Sequence, residues 1–152
     1  MSEVGSSKNN VIKGLNDLRV YRMAMDLAVE IREVTLEFPQ YARNELGRQM
    51  RLSAESVPAN IAEGYGRSRY EADFKRFLVN ALGSCTELGC QLELAYRHGY
   101  VSEECYRGLE EKSDHVGRSL HVMIEKWRSS SSRTSTIEIG HRTSNLGPRA
   151  KL

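Results

Sequence analysis

No run of this chain approaches the ~18 consecutive apolar residues that a membrane-spanning helix requires, so no membrane association is expected. The opening stretch, Met1 to Asn10, is polar and lacks the apolar core of a secretory signal, which makes a cytoplasmic location the expectation. Cysteine is scarce. Cys85, Cys90 and Cys105 are odd in number and none sits in a C-x-x-C pair, so neither a disulfide framework nor a thiolate metal site is expected. An excess of charge of one sign is lacking too: 22 basic residues face 20 acidic ones, a net charge of +2. Between Leu15 and Arg128 the balance is 16 basic against 18 acidic. The basic excess lies in the flanks, where Lys8, Lys13, Arg133, Arg142, Arg149 and Lys151 face only Glu3 and Glu138. Flexible basic flanks can touch phosphates, but this charge pattern alone does not single out a polyanion binder.

What the chain does have is helical periodicity. The first predicted helix spans Leu18 to Phe38, with Asn16 or Asp17 as N-cap and Pro39 as the stop. Its apolar stripe is broad, running through Val20, Ala24, Leu27, Ile31, Val34 and Phe38. Tyr21, Met25, Ala28 and Thr35 widen it beyond what a lone bundle must cover, which points to self-association. The second predicted helix spans Asn44 to Glu63 with Leu46, Met50, Ala54, Val57 and Ile61 inward, and Gly64 and Gly66 offer left-handed conformations to end it. In the third, Ser68 and Glu71 have capping-box spacing. After them Phe74, Leu78, Ala81, Cys85, Leu88, Leu92 and Ala95 recur at steps of four and three, the seam of a knobs-into-holes bundle. Gly99 closes that helix, with Tyr100 placed over its last turn, and Ser102 opens the fourth. The fourth seam is Tyr106, Leu109, Ser113, Val116, Leu120, Met123 and Trp127.

Short connections make consecutive helices antiparallel neighbours. The expected fold is all-α, an up-down-up-down antiparallel four-helix bundle over residues 15–128. Residues 1–14 and the Ser-rich, weakly basic stretch 129–152 are expected to be disordered tails.

Catalytic chemistry finds no support in the residue pattern. Di-iron bundles need inward glutamates and a Glu-x-x-His pair on each of two helices, and the one such pair here is Glu138 and His141, beside Gly140. His115 and His121 are six apart and face different sides of one helix. Gly64-Tyr65-Gly66 follows a helix and lacks the Lys-Ser/Thr of a phosphate loop. The expectation is a non-enzyme with no catalytic residue, metal or cofactor.

Two polar constellations stand out. Pro58 breaks a helical pattern, where it should kink the helix, since it lacks the N–H donor. Around it lie Ser56, Asn60, Glu63 and Gly64, and across from them Ser84 and Glu87. Together these are candidates for a paired polar layer that fixes register or, alternatively, for a ligand site. The second constellation is basic: Arg48 and Arg51 on the second helix, then Arg67, Arg69, Lys75 and Arg76 around the following turn, with Tyr65 and Tyr70 between them. Such residues can hold phosphates and stack on bases, or form a solvated face balanced by Glu45, Glu55, Glu71 and Asp73.

The stretch Ser56-Val57-Pro58-Ala59-Asn60-Ile61-Ala62-Glu63-Gly64 resembles the second-helix signature of the proteins encoded in intervening sequences of 23S ribosomal RNA genes, also called four helix bundle proteins. Other segments are similar to that family in order and spacing. They are Leu15-Asn16-Asp17-Leu18, where the family more often has an aromatic in place of Leu15, then Phe38-Pro39, Gln49 and Arg51, Phe77-Leu78, Ala81-Leu82-Gly83-Ser84, Glu87-Leu88, Gln91-Leu92 and His98-Gly99-Tyr100-Val101. The resemblance covers Leu15 to Trp127. It implies a left-handed bundle that assembles as a ring-like homopentamer, has no enzymatic activity and binds nucleic acid. Some relatives are accessory variability determinants of diversity-generating retroelements, which bind a reverse transcriptase and its RNA. Those relatives are more basic than the core of this chain.

Overall fold

The computed structural model describes residues 12–138, with side chains to residue 126. After a single 3-10 turn at Leu15–Asp17 come four helices. We label them α1 (Arg19–Leu36), α2 (a first turn Gln40–Ala42, a π-helical turn Arg43–Gly47 and the long run Arg48–Gly66), α3 (Glu71–Arg97) and α4 (Glu103–Glu138). Among the described residues there is no strand. Each helix packs on the next and α4 returns to α1, so the bundle closes. A polar link crosses each of the four seams. Arg51 donates to Thr35 between α2 and α1 at 3.1 Å, and the Ser56 and Ser84 hydroxyls meet between α2 and α3 at 2.8 Å. The Cys85 thiol donates to the Ser113 carbonyl between α3 and α4 at 3.1 Å, and Lys112 reaches both oxygens of Glu30 between α4 and α1 at 2.5 and 2.7 Å.

The core follows the predicted seams closely. All seven α3 seam residues are buried, joined by Gln91. In α4 the step after Leu120 is four rather than three, so Ile124 is buried and Met123 only half-buried, while the Trp127 side chain lies outside the described residues. In α1, Thr35 is fully buried and belongs to the bundle's own interior, not to the outward stripe. Its hydroxyl donates to the Arg32 carbonyl and accepts from Arg51.

The helix ends correct several expectations. Asp17 does not cap α1: its carboxylate accepts the Lys13 and Gly14 N–H groups at 2.8 and 3.0 Å, closing the preceding turn, and Leu18 is the N-cap. α2 begins at Gln40, four residues before the predicted Asn44, because the Pro39 carbonyl already accepts the Arg43 N–H at 2.8 Å. Ser68 does not cap α3. Its own N–H is spent on the Tyr65 carbonyl, and the chain turns once more before Tyr70 takes the N-cap position. Gly64 and Gly66 lie inside α2 rather than in left-handed turns. Gly64 instead allows close approach, since a β-carbon there would lie 3.1 Å from the Phe77 Cβ and 3.3 Å from the Phe74 carbonyl oxygen.

Gly99 does take the left-handed conformation, with φ 78°, and the Tyr100 and Gly99 N–H groups return to the Ala95 and Tyr96 carbonyls, a Schellman closure. Ser102 caps α4 as predicted, its hydroxyl accepting the Cys105 N–H at 3.1 Å. α4 runs to Glu138, ten residues past the Arg128 boundary set from sequence; serine interrupts a helix far less than glycine or proline, and none of either occurs between Arg128 and Gly140. The rest of the predicted tail and residues 1–11 lie outside the described residues.

Candidate nucleic-acid interface

The six basic residues singled out from sequence do not form one patch. From Arg51 to Arg67 is sixteen residues of helix, about 24 Å at 1.5 Å per residue. Arg48 and Arg51 therefore lie partway along α2, in the half of the bundle nearer the Gly99 turn, and Arg67, Arg69, Lys75 and Arg76 stand at the opposite pole.

Arg51 is turned inward. Its Nη1 donates to Thr35 Oγ1 and its Nη2 to the Arg43 carbonyl at 3.3 Å, so the guanidinium locks the π-helical turn to α1. Gly47 makes room for it, because a β-carbon there would lie 3.3 Å from Arg51 Nη1 and 3.4 Å from the Phe38 ring. A guanidinium held in this way is an internal strut and is not free to meet a phosphate. Arg48 remains exposed on the outer face of α2.

At the opposite pole the turn between α2 and α3 gathers cations around one ring. Arg67 and Arg76 each place their guanidinium over Phe77, at 5.4 and 4.8 Å from the ring centroid. Arg67 also pairs with Glu63 at 2.8 Å, and Asp73 sits 4.0 Å from Arg67 and 3.6 Å from Arg76. These are exposed pairs and hold the arginines weakly. Arg69 and Tyr70 stand out in solvent beside them, and Lys75 is half-buried. The start of the described chain meets this pole: Ile12 and Leu18 share a groove with Tyr65, Phe74, Met123 and Lys126.

The polar layer assembles in part. Asn60 Nδ2 donates to the Ser56 carbonyl at 2.8 Å and to its hydroxyl at 3.0 Å, and that hydroxyl meets Ser84. The carbonyl freed by Pro58 belongs to Ala54, four residues earlier, so Asn60 does not serve it. Pro58 itself is buried within a helix that runs continuously from Arg48 to Gly66. Glu63 leaves the layer for Arg67, and Glu87 accepts from Gln91 at 3.4 Å.

Sequence reasoning missed the aromatic cluster at the Gly99 pole. Tyr100 packs against Phe38, Tyr41 and His98, with ring centroids 5.4, 6.1 and 5.4 Å away. Tyr41 falls before the start expected for the second helix; the Phe38-x-x-Tyr41 spacing across Pro39 is the signal that could have found it. Hydrogen bonding with Tyr41, then burial, then the charges of Tyr41 and Glu45, hold the Tyr100 phenol above its ordinary pKa. Burial pushes the Cys85 thiol up more than its Ser113 hydrogen bond lowers it, which keeps the sulfur protonated rather than nucleophilic. Among the described residues no three His, Cys, Asp or Glu side chains converge as a metal site would need, and no helix is long and apolar enough to cross a membrane.

The sequence profile of the 23S rRNA-intervening sequence proteins matches residues 16–122. The chain belongs to that family. A crystal structure from Bacteroides thetaiotaomicron, described as a protein of unknown function from the S23 ribosomal protein family, superposes with a TM-score of 0.62 at 27% identity. The match covers 70% of this chain and 95% of that one. No curated protein matches. For this intervening-sequence protein the family thus brings the bundle with it but no stated activity, and the part of the chain it covers contains both poles.

Proposed function

We propose that this protein is a non-enzymatic, homo-oligomeric RNA-binding bundle that holds RNA through phosphate contacts at the Arg67–Arg76 pole. The observation that carries the reading is convergence. The antiparallel path sends both ends of the bundle to the pole where Arg67, Arg69, Lys75 and Arg76 are exposed or half-exposed, so the basic flanks begin beside the basic turn. The family is named for intervening sequences of 23S rRNA, and that favours RNA as the polyanion in this reading.

Assembly is supported by the opposite choice of residues along the α1/α2 face. Met25 and Val29 are 43% and 54% exposed, and with Tyr21, Ala28, Ala59 and Ala62 they line an apolar groove. A ring, the pentamer implied by the resemblance, would repeat the basic pole and let modest sites add by avidity.

Each phosphate contact releases counterions, so affinity should fall steeply with salt. Reversing Arg67 and Arg69 to glutamate is expected to weaken binding of an RNA duplex and to reduce the salt slope by about one for each phosphate no longer neutralised, with assembly unchanged. Binding that is unaltered in that variant would sink the assignment. Arg51 is excluded from the test because its loss would disturb the fold.

The second reading is a scaffold for a protein such as a retroelement reverse transcriptase. It draws on the wide groove between α3 and α4, which carries Glu93, Glu110, Glu111 and Asp114 on its walls beside Arg107 and Arg118. A protein that binds no RNA at low salt would favour it.

A further inference from the structure

The aromatic cluster at the Gly99 pole does more than close the core. Phe38 is buried there, at 1% exposure, and already seals the end of the bundle. Tyr41 is 63% exposed and contributes little to that seal. It stands at 74° to Tyr100, edge to face, and most of its surface is left open to solvent. His98, also exposed, lies nearly parallel to Tyr100 at 24° on a neighbouring side. The shelf is rigidly mounted. Tyr41 sits in the first turn of α2, immediately before the π-helical turn that Arg51 locks, and Tyr100 sits on the Schellman closure of α3. π-helical turns occur disproportionately at functional sites.

Charge beside the shelf is mixed. Arg43 is half-buried and reaches the Phe38 carbonyl through one long bond of 3.5 Å, while its Nε is buried without a hydrogen-bond partner. Glu45 lies close enough to Tyr100 to influence its phenol. An exposed π-face with a carboxylate nearby is chemistry that receives an unpaired base: the ring stacks, and a carboxylate can accept from an exocyclic amine. Duplex RNA offers no free base face to such a shelf.

We infer that the Tyr41–Tyr100–His98 shelf is a second RNA contact, selective for unpaired bases, at the pole opposite the cationic turn. This rests on the RNA-binding reading above but predicts a different physical signature. Stacking is insensitive to salt, whereas phosphate contacts are not.

The test uses the full chain with a labelled 12-nucleotide oligoadenylate and a 12-base-pair RNA duplex, titrated over a range of salt. Tyr41→Ala is expected to weaken oligoadenylate binding about 5- to 150-fold, the range of one missing base stack, with duplex affinity and the salt slope unchanged. Tyr41→Phe keeps the ring and should bind as the parent does. Equal affinity of Tyr41→Ala and parent for oligoadenylate overturns the inference, and so does an equal loss on the duplex. The two assignments fail separately. If the Arg67 and Arg69 reversals abolish binding and Tyr41→Ala changes nothing, the shelf is wrong and the cationic pole stands. If the reversals change nothing and Tyr41→Ala loses oligoadenylate, the cationic pole is wrong and the shelf stands. A parent chain that binds neither RNA overturns both and leaves the shelf to a protein partner.

Discussion

At Gly64 a hydrogen in place of a side chain is what lets α2 and α3 meet. Because the neighbours of a β-carbon there are the root of Phe77 and the backbone of Phe74, neither can swing aside. Gly64→Ala should therefore destabilise the fold by about 1–3 kcal/mol, the usual cost of overpacking, seen as a lower urea midpoint at unchanged m-value. The sequence marks this glycine but suggests the wrong reason for it, since a helix-ending glycine and a glycine at a close crossing look alike until the partner helix is in place. Arg51 misleads in the same way. A basic residue in a helical pattern reads as a surface charge, and only the arrival of Thr35 from α1 and the space left by Gly47 turn it inward.

Among the elements, seams were legible and ends were not. The α3 seam could be read directly because periodic spacing alone decides which face is buried. Ends depend on one or two hydrogen bonds that compete locally. Ser102 wins its competition, while Ser68 loses to one further turn of chain. Replacing Ser102 by alanine should cost about 1 kcal/mol, as should Gly99→Ala at its positive φ, whereas Ser68→Ala should stay within about 0.5 kcal/mol. Thermal melts of the three variants check this, and a Ser68 effect as large as that of Ser102 would restore the capping box. The first turn of α2 escapes a sequence reading because Pro39, a stop for one helix, also starts the next.

For the molecule as a whole, four helices and their closure were readable from the sequence, but the division of the basic residues between two separate regions was not. Distance along a helix converts neighbours in a pattern into sites about 24 Å apart. The proposed assembly belongs to this scale as well. Val29 is more than half exposed, so Val29→Glu should leave far-UV circular dichroism nearly unchanged. The same variant should shift sedimentation from an oligomer to a 17.2 kDa monomer. A variant that sediments with the parent would place the interface on another face.

α4 passes Met123, which lies beside Phe74 at the cationic pole, and continues fifteen residues to Glu138, about 22 Å beyond the bundle. In a cyclic ring with the bundles aligned along its axis, every such extension would project from the same side. The particle would then be a brush, bristled on one side with helices from a basic rim and bare on the other, where the tyrosines stand. An RNA held by both poles would run from one side of such an assembly to the other, so the two ends of the bound segment would lie in different chemical surroundings.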